Sequence, residues 1–315
     1  MCSHAKDIRP IAGSPFAHTY SIVAFDPEAK EMGGAVQSHW FAVGSVVLWA
    51  EGGVGVVATQ SFTNPSFGPR GLEMLRKGMR PEEVVASLVD SDEGRDMRQL
   101  AVLDAQGQAA AHTGKRCVPA TGHVVGEHFS AQANMMLKGS VWPAMAKAFR
   151  KTQAPLAERL LAALEAAEGQ GGDIRGRQSA CLLVVRSEST GNVWEDRVLD
   201  LRVDDSREPL AELRRLLRIR RAYDCMDKGD NALEKGLMEE AMQHYSAAEH
   251  MFPENEEMVY WHAVTLVNIG HLEEALPLFE KVFAVNENWR EMTRRQVPLG
   301  LLKVDEAGLR RIIDL

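Results

Sequence analysis

Residues 19–61 read TYSIVAFDPEAKEMGGAVQSHWFAVGSVVLWAEGGVGVVATQS, and this stretch decides the fold. Its first eight residues alternate in the manner of a strand and are rich in β-branched and aromatic side chains, so a strand is predicted to begin at Thr19. PEAKEMGG predicts a turn in which Gly33 and Gly34 close a hairpin. The remainder is mostly apolar and interrupted by glycines, which predicts two or three further short, buried strands. Short turns between consecutive strands indicate an antiparallel sheet.

Helices and strands alternate beyond this stretch. Apolar residues at helical spacing predict helices over residues 68–78, 80–92, 141–152 and 155–172. Strand patterns cover residues 98–114, 128–136, 179–187 and 197–205. Helices that come in pairs between antiparallel strands indicate an α+β fold with sheets between helix layers, although periodicity alone also permits a single mixed sheet.

Length and composition limit the class of protein. The chain has 315 residues, which predicts two domains, and its 45% apolar and 25% charged residues are typical of globular proteins. No stretch approaches the roughly 18 consecutive apolar residues of a membrane helix. The net charge of −8 disfavours non-specific nucleic-acid binding. Neither a membrane nor a nucleic acid is therefore expected as a partner.

The cysteines and the first residues bear on location. Cys2, Cys117, Cys181 and Cys225 lie far apart and form no CxxC pair, so reduced thiols in a cytoplasmic protein are expected. Residues 1–18 lack the apolar segment of a secretory signal and are expected to form a loose N-terminal extension.

A repeat of period 34 begins at Gly229. The corresponding pairs include Gly229 and Ala263, Gly236 and Gly270, Ala241 and Ala275, and Tyr245 and Phe279. This period and pattern predict an all-α module like the tetratricopeptide repeat (TPR). Two copies are fewer than usually stand alone, so the module is expected either to bind a protein partner in a groove or to pack in an oligomer.

A basic helix is predicted just before this module, over residues 209–224. Residues 222–315 carry 9 Lys/Arg and 18 Asp/Glu, so the helix is expected to connect the domains and meet acidic groups with its arginines; a membrane-surface or nucleic-acid role is the alternative. The predicted organisation is an extension (1–18), an α+β domain (19–205), a connecting helix (206–221) and a TPR-like domain (222–315).

The segments SIVAFDPEAKEMGGAVQSHWFAVGSVVLWAEGGVGVVATQS, NPSFGPRGLEMLRKG, SAQANMM and GGDIRGRQSA resemble DUF1028, a bacterial family of unknown function. The resemblance extends from about Thr19 to Asp205. It implies a four-layer αββα fold like that of N-terminal-nucleophile (Ntn) hydrolases, followed here by the TPR-like module. In Ntn hydrolases a Thr, Ser or Cys at the start of the first strand attacks an amide, and its own α-amino group is the base.

Thr19 is the residue to which this resemblance assigns the nucleophile. Eighteen residues precede it, and a peptide nitrogen cannot serve as the base. Either the bond between His18 and Thr19 is cleaved, or the start codon lies elsewhere, or the scaffold does not use this chemistry. Cys2, exposed by removal of Met1, is a weaker candidate because no strand pattern follows it.

Amide side chains provide the candidates for an oxyanion site or substrate contacts. Gln132 and Asn134 stand at i and i+2 in SAQANMM, so on a strand they share one face. Gln60 ends an apolar strand, and Asn64 follows in a loop with Gly and Pro. The alternatives are a buried pair that holds neighbouring backbone and, for Asn64, local loop hydrogen bonds.

Charged and polar residues complete the predicted site. His39, with Gln37 beside it, is expected to tune the nucleophile or contact the substrate. Arg175 or Arg177 would clamp a substrate carboxylate, and Asp173 would line the same pocket, unless it pairs with an arginine to stabilise the loop.

No metal or cofactor is predicted. His112, His123 and His128 do not have a metal-ligand spacing, and the chain has no P-loop or convincing dinucleotide motif. The predicted function is an Ntn-type amidohydrolase acting on a small amide or peptide-like substrate. The alternative is a catalytically silent scaffold that binds a small molecule or a partner protein. A homodimer is expected in either case.

Overall fold

The computed structural model describes residues 16–17 and 19–315, and the α+β class with antiparallel sheets and a C-terminal helical region is confirmed. The chain divides into two compact units, with the boundary between Arg214 and Arg215. Of the predicted extension, only Phe16 and Ala17 are described. Cys2 and His18 lie outside the described residues.

The first unit contains all the strands. They are β1 (Phe16–Ala17), β2 (Thr19–Asp26), β3 (Glu31–Ser38), β4 (Leu48–Glu51), β5 (Gly55–Phe62), β6 (Arg98–Asp104), β7 (Ala109–Thr113), β8 (Gly122–Gly126), β9 (Phe129–Ala133), β10 (Ser179–Arg186) and β11 (Arg197–Val203). Its helices are α1 (Phe67–Arg76), α2 (Pro81–Asp90), α3 (Val141–Lys151), α4 (Leu156–Gly169) and the short α5 (Val193–Asp196).

The strands form two antiparallel sheets. The six-stranded sheet has the order β11-β10-β3-β2-β9-β8. The five-stranded sheet has the order β1-β5-β6-β7, with β4 paired to β5 as well. Consecutive strands of the opening stretch therefore divide between the sheets: β2 and β3 belong to one, β4 and β5 to the other.

Both faces of each sheet are covered. Helices α1 and α2 pack on the five-stranded sheet, α3 and α4 pack on the six-stranded sheet, and the sheets contact each other. A hydrophobic core between the sheets includes Val23, Val36, Val56, Ala58 and Ala101, all fully buried. Burial on two faces explains why these strands are almost continuously apolar.

Gly33 and Gly34 do not close the hairpin, contrary to the prediction. They lie inside β3, and the turn between β2 and β3 uses the preceding residues, with Lys30 at φ 54°. The physical reason is close strand packing, because a Cβ at Gly33 would clash with the carbonyl oxygen of Leu183 on the neighbouring β10. The two glycines allow backbones to approach rather than reverse direction.

The C-terminal region is helical. Its helices are α6 (Pro209–Glu234), α7 (Met238–Met251), α8 (Glu256–Asn268), α9 (Leu272–Val285), α10 (Asn288–Gln296) and α11 (Glu306–Ile313). The turns before α7 and α9 are alike, since Gly236 and Gly270 both have positive φ, at 73° and 89°. Ala241 and Ala275, one turn into the following helices, are fully buried. The 34-residue repeat thus corresponds to a repeated pair of packed helices.

Helix α6 is longer than the predicted basic helix. It continues to Glu234 through Gly229, where an added Cβ would meet the ring of Tyr245. Within the second unit Arg218 pairs with Glu254, an acidic residue of the repeat region. No helix among the described residues is long and apolar enough to span a membrane.

We expect Gly33→Ala to destabilise the protein by about 1–3 kcal/mol, because the added Cβ must displace the β10 backbone. The free energy of unfolding in urea measures the effect. Gly169→Ala is the matched control: it lies at the end of α4 with no atom within 4 Å of its Cβ position, so we expect a change within about 0.5 kcal/mol. Equal effects of the two substitutions would contradict the packing explanation.

Candidate functional site

Thr19 begins β2 at one end of the six-stranded sheet, and two amide side chains converge on it. The Thr19 carbonyl oxygen accepts a hydrogen bond from the backbone N–H of Asn134 (3.1 Å). It also accepts from Asn134 Nδ2 (3.3 Å) and Gln60 Nε2 (3.2 Å). Asn134 directly follows β9, whereas Gln60 lies on β5. Donors from both sheets therefore meet at one fully buried residue.

Gln99 forms hydrogen bonds with both of these amides, and it is not among the site residues predicted from the sequence. It lies on β6 opposite Gln60, and its Oε1 accepts hydrogen bonds from Gln60 Nε2 (2.7 Å) and Asn134 Nδ2 (2.9 Å). A single glutamine in the apolar run RQLAVLD gave no sign of a site. Strand register would have found it, because pairing Gln60 with Gln99 places both amides on the face toward the other sheet.

Gln132 reaches the same network through Ser21. Ser21 Oγ donates to Gln60 Oε1 (2.6 Å) and accepts from Gln132 Nε2 (2.7 Å). Ser130 Oγ in turn donates to Gln132 Oε1 (2.9 Å). All four side chains are fully buried, and their mutual bonds meet the requirement that buried polar groups be paired. The structure thus places three of the predicted amides, Gln60, Gln132 and Asn134, in one hydrogen-bond network with Thr19.

Asp173, Arg175 and His39 form a second cluster. The Asp173 carboxylate is buried and accepts three hydrogen bonds from Arg175, from its backbone N–H (2.9 Å), Nε (3.1 Å) and Nη2 (2.8 Å). The backbone N–H of His39 lies 3.3 Å from the other face of this carboxylate, at Oδ2. The His39 ring is exposed, and its Nδ1 lies 3.2 Å from the Arg177 carbonyl oxygen. Asp173 therefore ties its own loop to the end of β3.

Gln37 and Arg177 lie on the opposite face of the sheet from Thr19, around Tyr20. In the register Tyr20 pairs with Gln37, and its hydroxyl contacts Gln37 and donates to Glu168 Oε2 (2.7 Å). Arg177 Nε donates to the other Glu168 oxygen (2.6 Å). Burial, reinforced by Glu168, raises the pKa of Tyr20 well above its ordinary value. Tyr20 therefore remains a protonated hydrogen-bond donor.

The described contacts of Asn64 lie in a separate loop cluster. Asn64 Nδ2 donates to Asp92 Oδ2 (3.0 Å), and Arg98 Nε donates to the same oxygen (3.0 Å). Burial raises the pKa of Asp92, but hydrogen bonds from Asn64, Arg98 and the Gly94 N–H outweigh it, so the pKa lies below its ordinary value. These contacts stabilise the loop before α1.

The three histidines that were considered as metal ligands have separate hydrogen-bond partners. His123 Nδ1 contacts Thr113 Oγ1 (2.8 Å), whereas the rings of His112 and His128 contact backbone carbonyls elsewhere. Partial burial and the nearby His112 lower the pKa of His123. Within residues 16–17 and 19–315, no three His, Cys, Asp or Glu side chains are grouped to hold a metal ion.

Known proteins match the first unit. A family described as a family of unknown function, DUF1028, matches residues 19–213. A crystal structure of a DUF1028 protein from Silicibacter pomeroyi is 36% identical, with a TM-score of 0.57; the match covers 64% of this chain and 88% of that one. No curated protein matches the chain.

We expect Asn64→Ala to lower stability at neutral pH, because Asp92 loses a donor to its ionised form. A depressed folded pKa stabilises the protein above the ordinary carboxyl pKa of about 4, and this contribution is lost as the pH falls through the folded value. The variant's deficit should therefore shrink below about pH 4. Urea unfolding across pH measures it. Ser66→Ala, which removes a contact to Asn64 but not the Asp92 bond, is the control. A deficit that does not change with pH would contradict the assignment.

Proposed function

The chain belongs to the DUF1028 family, and we propose that it is a latent amide hydrolase of the N-terminal-nucleophile type whose nucleophile is the Thr19 hydroxyl. The observation that carries the proposal is the convergence of two amide donors from different sheets on the residue that begins β2. Polar groups are costly to bury between sheets, and here they gather around a threonine at a strand start.

The uncut chain holds Thr19 in an unreactive form. Thr19 is fully buried, and its nitrogen belongs to a peptide bond. Before it, Phe16 pairs with Phe62 and Ala17 with Ser61, so β1 belongs to the five-stranded sheet and β2 to the six-stranded sheet. Activity in this proposal therefore requires cleavage of the His18–Thr19 bond, which would separate β1 from β2.

The chemistry after cleavage follows from the groups at hand. The new α-amine of Thr19, with an ordinary pKa of about 8, would accept the hydroxyl proton as Oγ1 attacks a substrate amide carbon. Backbone N–H groups, with Asn134 or Gln132 turned from its present acceptor, would hold the oxyanion. The amine would return the proton to the leaving nitrogen. Water would then hydrolyse the acyl ester on Thr19.

Substrate contacts are assigned to the surrounding groups. His39 is exposed beside Asp173 at the end of β3, where it would contact the substrate or tune the nucleophile. Arg175, which is partly exposed and paired with Asp173, is the arginine we assign to an anionic end of a small amide or peptide-like substrate. Arg177 lies on the opposite face of the sheet from Thr19 and pairs with Glu168. The four-layer arrangement of helices and sheets supports the assignment to the Ntn-like class.

We further propose that the C-terminal region is a TPR-like module that joins two copies of the chain or a protein partner. The observation that favours this is exposed apolar surface: Val285 and Leu299 are 72% and 73% exposed. Two repeat copies are fewer than usually stand alone, which favours a covering surface, and these two exposed side chains are the positions we assign to it.

We expect the full-length protein to yield a fragment that begins at Thr19, detected by intact mass and N-terminal sequencing. If the chain cleaves itself, the Thr19 hydroxyl is the attacking group. Thr19→Ala should therefore abolish the fragment, and Thr19→Ser, which keeps a hydroxyl, should preserve it. Thr59→Ala, which removes another fully buried strand threonine hydroxyl, should cleave normally.

A chain released at Thr19 from a cleavable fusion provides the second arm. We expect a β-lactone electrophile to acylate it at Thr19. An uncut natural chain, together with a released chain that resists acylation, would reject the hydrolase and leave the silent scaffold that binds a ligand or partner.

We expect the full chain to be a dimer by light scattering and analytical ultracentrifugation. Val285→Glu and Leu299→Glu should weaken it, because each would bury a charge. Val193→Glu, equally exposed but in the first unit, is the control and should leave association unchanged. If all three variants associate like wild type, the C-terminal surface is not the interface.

A further inference from the structure

Gln99 occupies the centre of the amide network and has no assigned role. We propose that Gln99 is a positioning residue, which fixes the direction of the N–H groups that Gln60 and Asn134 present to Thr19. Its orienting role stands on the hydrogen bonds themselves. Its consequence for reactivity rests on the function proposed for Thr19.

The orientation of the Gln99 amide is set by two backbone carbonyl oxygens, which accept hydrogen bonds and cannot donate them. Gln99 Nε2 lies 3.0 Å from the Ala133 carbonyl oxygen and 3.2 Å from that of Gly122. Backbone carbonyls only accept hydrogen bonds, so the nitrogen must face them. The oxygen of the same planar amide must then face Gln60 and Asn134.

This orientation passes to the next two amides. Gln99 Oε1 can only accept, so Gln60 and Asn134 must each turn an NH₂ group toward it, at 2.7 Å and 2.9 Å. The same nitrogens lie 3.2 Å and 3.3 Å from the Thr19 carbonyl oxygen. An NH₂ group has two hydrogens, so one serves Gln99 and the other serves Thr19.

The hydrogen bonds of the Ser21 hydroxyl are consistent with this orientation of the Gln60 amide. With its nitrogen committed, Gln60 turns Oε1 toward Ser21 Oγ, which donates to it at 2.6 Å. Ser21 Oγ is then an acceptor for Gln132 Nε2 at 2.7 Å. Reversing Gln99 would set oxygen against carbonyl oxygen and NH₂ against NH₂ in a site without exposed surface. One fixed amide thereby determines the direction of three others.

The test uses a feature of the sequence. Thr19–Tyr20 is the only Thr-Tyr pair in the chain, so ¹³C at threonine carbonyls and ¹⁵N at tyrosine amides give one correlated NMR signal, that of the Thr19 carbonyl. Loss of hydrogen bonds shifts a carbonyl ¹³C resonance upfield. This readout needs neither cleavage nor a substrate.

Two substitutions separate orientation from packing. Gln99→Met keeps the length but neither accepts nor donates, so the signal should move upfield at every pH. Gln99→Glu mimics glutamine only while protonated, when its hydroxyl donates to a carbonyl and its other oxygen accepts. Burial and the two carbonyls raise the pKa of this carboxyl above its ordinary value of about 4.3. The Gln99→Glu signal should therefore match wild type at acid pH and depart from it as the pH rises.

Controls isolate the effect. Gln106→Glu, on the exposed turn after β6, should leave the signal unchanged. Two titratable side chains reach Gln99 through described hydrogen bonds: His123 by way of Thr113, and Cys117 by way of Thr121. Both are present in every variant, so comparison with wild type at each pH removes their titration.

The outcomes are distinct. A folded Gln99→Met chain with the wild-type signal overturns the proposal. If that variant does not fold, a Gln99→Glu signal that differs from wild type even at acid pH, or one that stays unchanged while the carboxyl itself titrates, overturns it instead. Where the natural chain is cleaved before Thr19, Gln99→Met should slow cleavage, because the amides beside Thr19 lose their fixed direction. A signal that responds as expected in a chain whose Thr19 proves inert would retain the orienting role and reject only the hydrolase.

Discussion

The rest of the first unit depends on one constraint: polar side chains buried between two sheets must satisfy one another there. Gln60 and Gln99 come from the five-stranded sheet, and Ser21 and Gln132 come from the six-stranded sheet. Their hydrogen bonds can form only in one register of each strand and one placement of the sheets. A slip of one residue in any of these strands would turn its polar side chain toward a helix. The partners left without a hydrogen bond would each cost about 1–3 kcal/mol.

The two faces of β2 consequently carry different chemistry. Toward the other sheet, the Thr19 carbonyl meets neutral amides, whereas Tyr20 on the opposite face meets the ion pair of Glu168 and Arg177. The groups that contact the Thr19 carbonyl are therefore uncharged, and the ion pair lies on the other face of β2.

Secondary-structure elements could be predicted from the sequence more fully than the contacts between strands, because periodicity is local and strand register is not. Alternation and helical spacing are local, so the strand at Thr19 and the paired helices could be predicted from them. Gly33 was predicted in a turn, whereas it lies in a strand. A single sequence does not distinguish a glycine pair that forms a turn from one that lets a neighbouring strand pack closely. Gln132 and Asn134 could be found by their spacing on one strand. Gln99 could not, since its partners lie on other strands and only the register brings them together.

The described hydrogen bonds of Gln60 do not involve β1. Gln60 is held by Gln99 on β6 and Ser21 on β2, whereas β1 pairs with the two residues that follow it, Ser61 and Phe62. Removing β1 would therefore leave each described hydrogen bond of Gln60 in place. The groups around the Thr19 carbonyl are therefore set by the folded sheets. Both hydrogens of the Asn134 amide are already used, by Gln99 and by the Thr19 carbonyl. An oxyanion beside Thr19 would therefore need backbone N–H groups or an amide that rotates, and the second route costs reorganisation when charge develops.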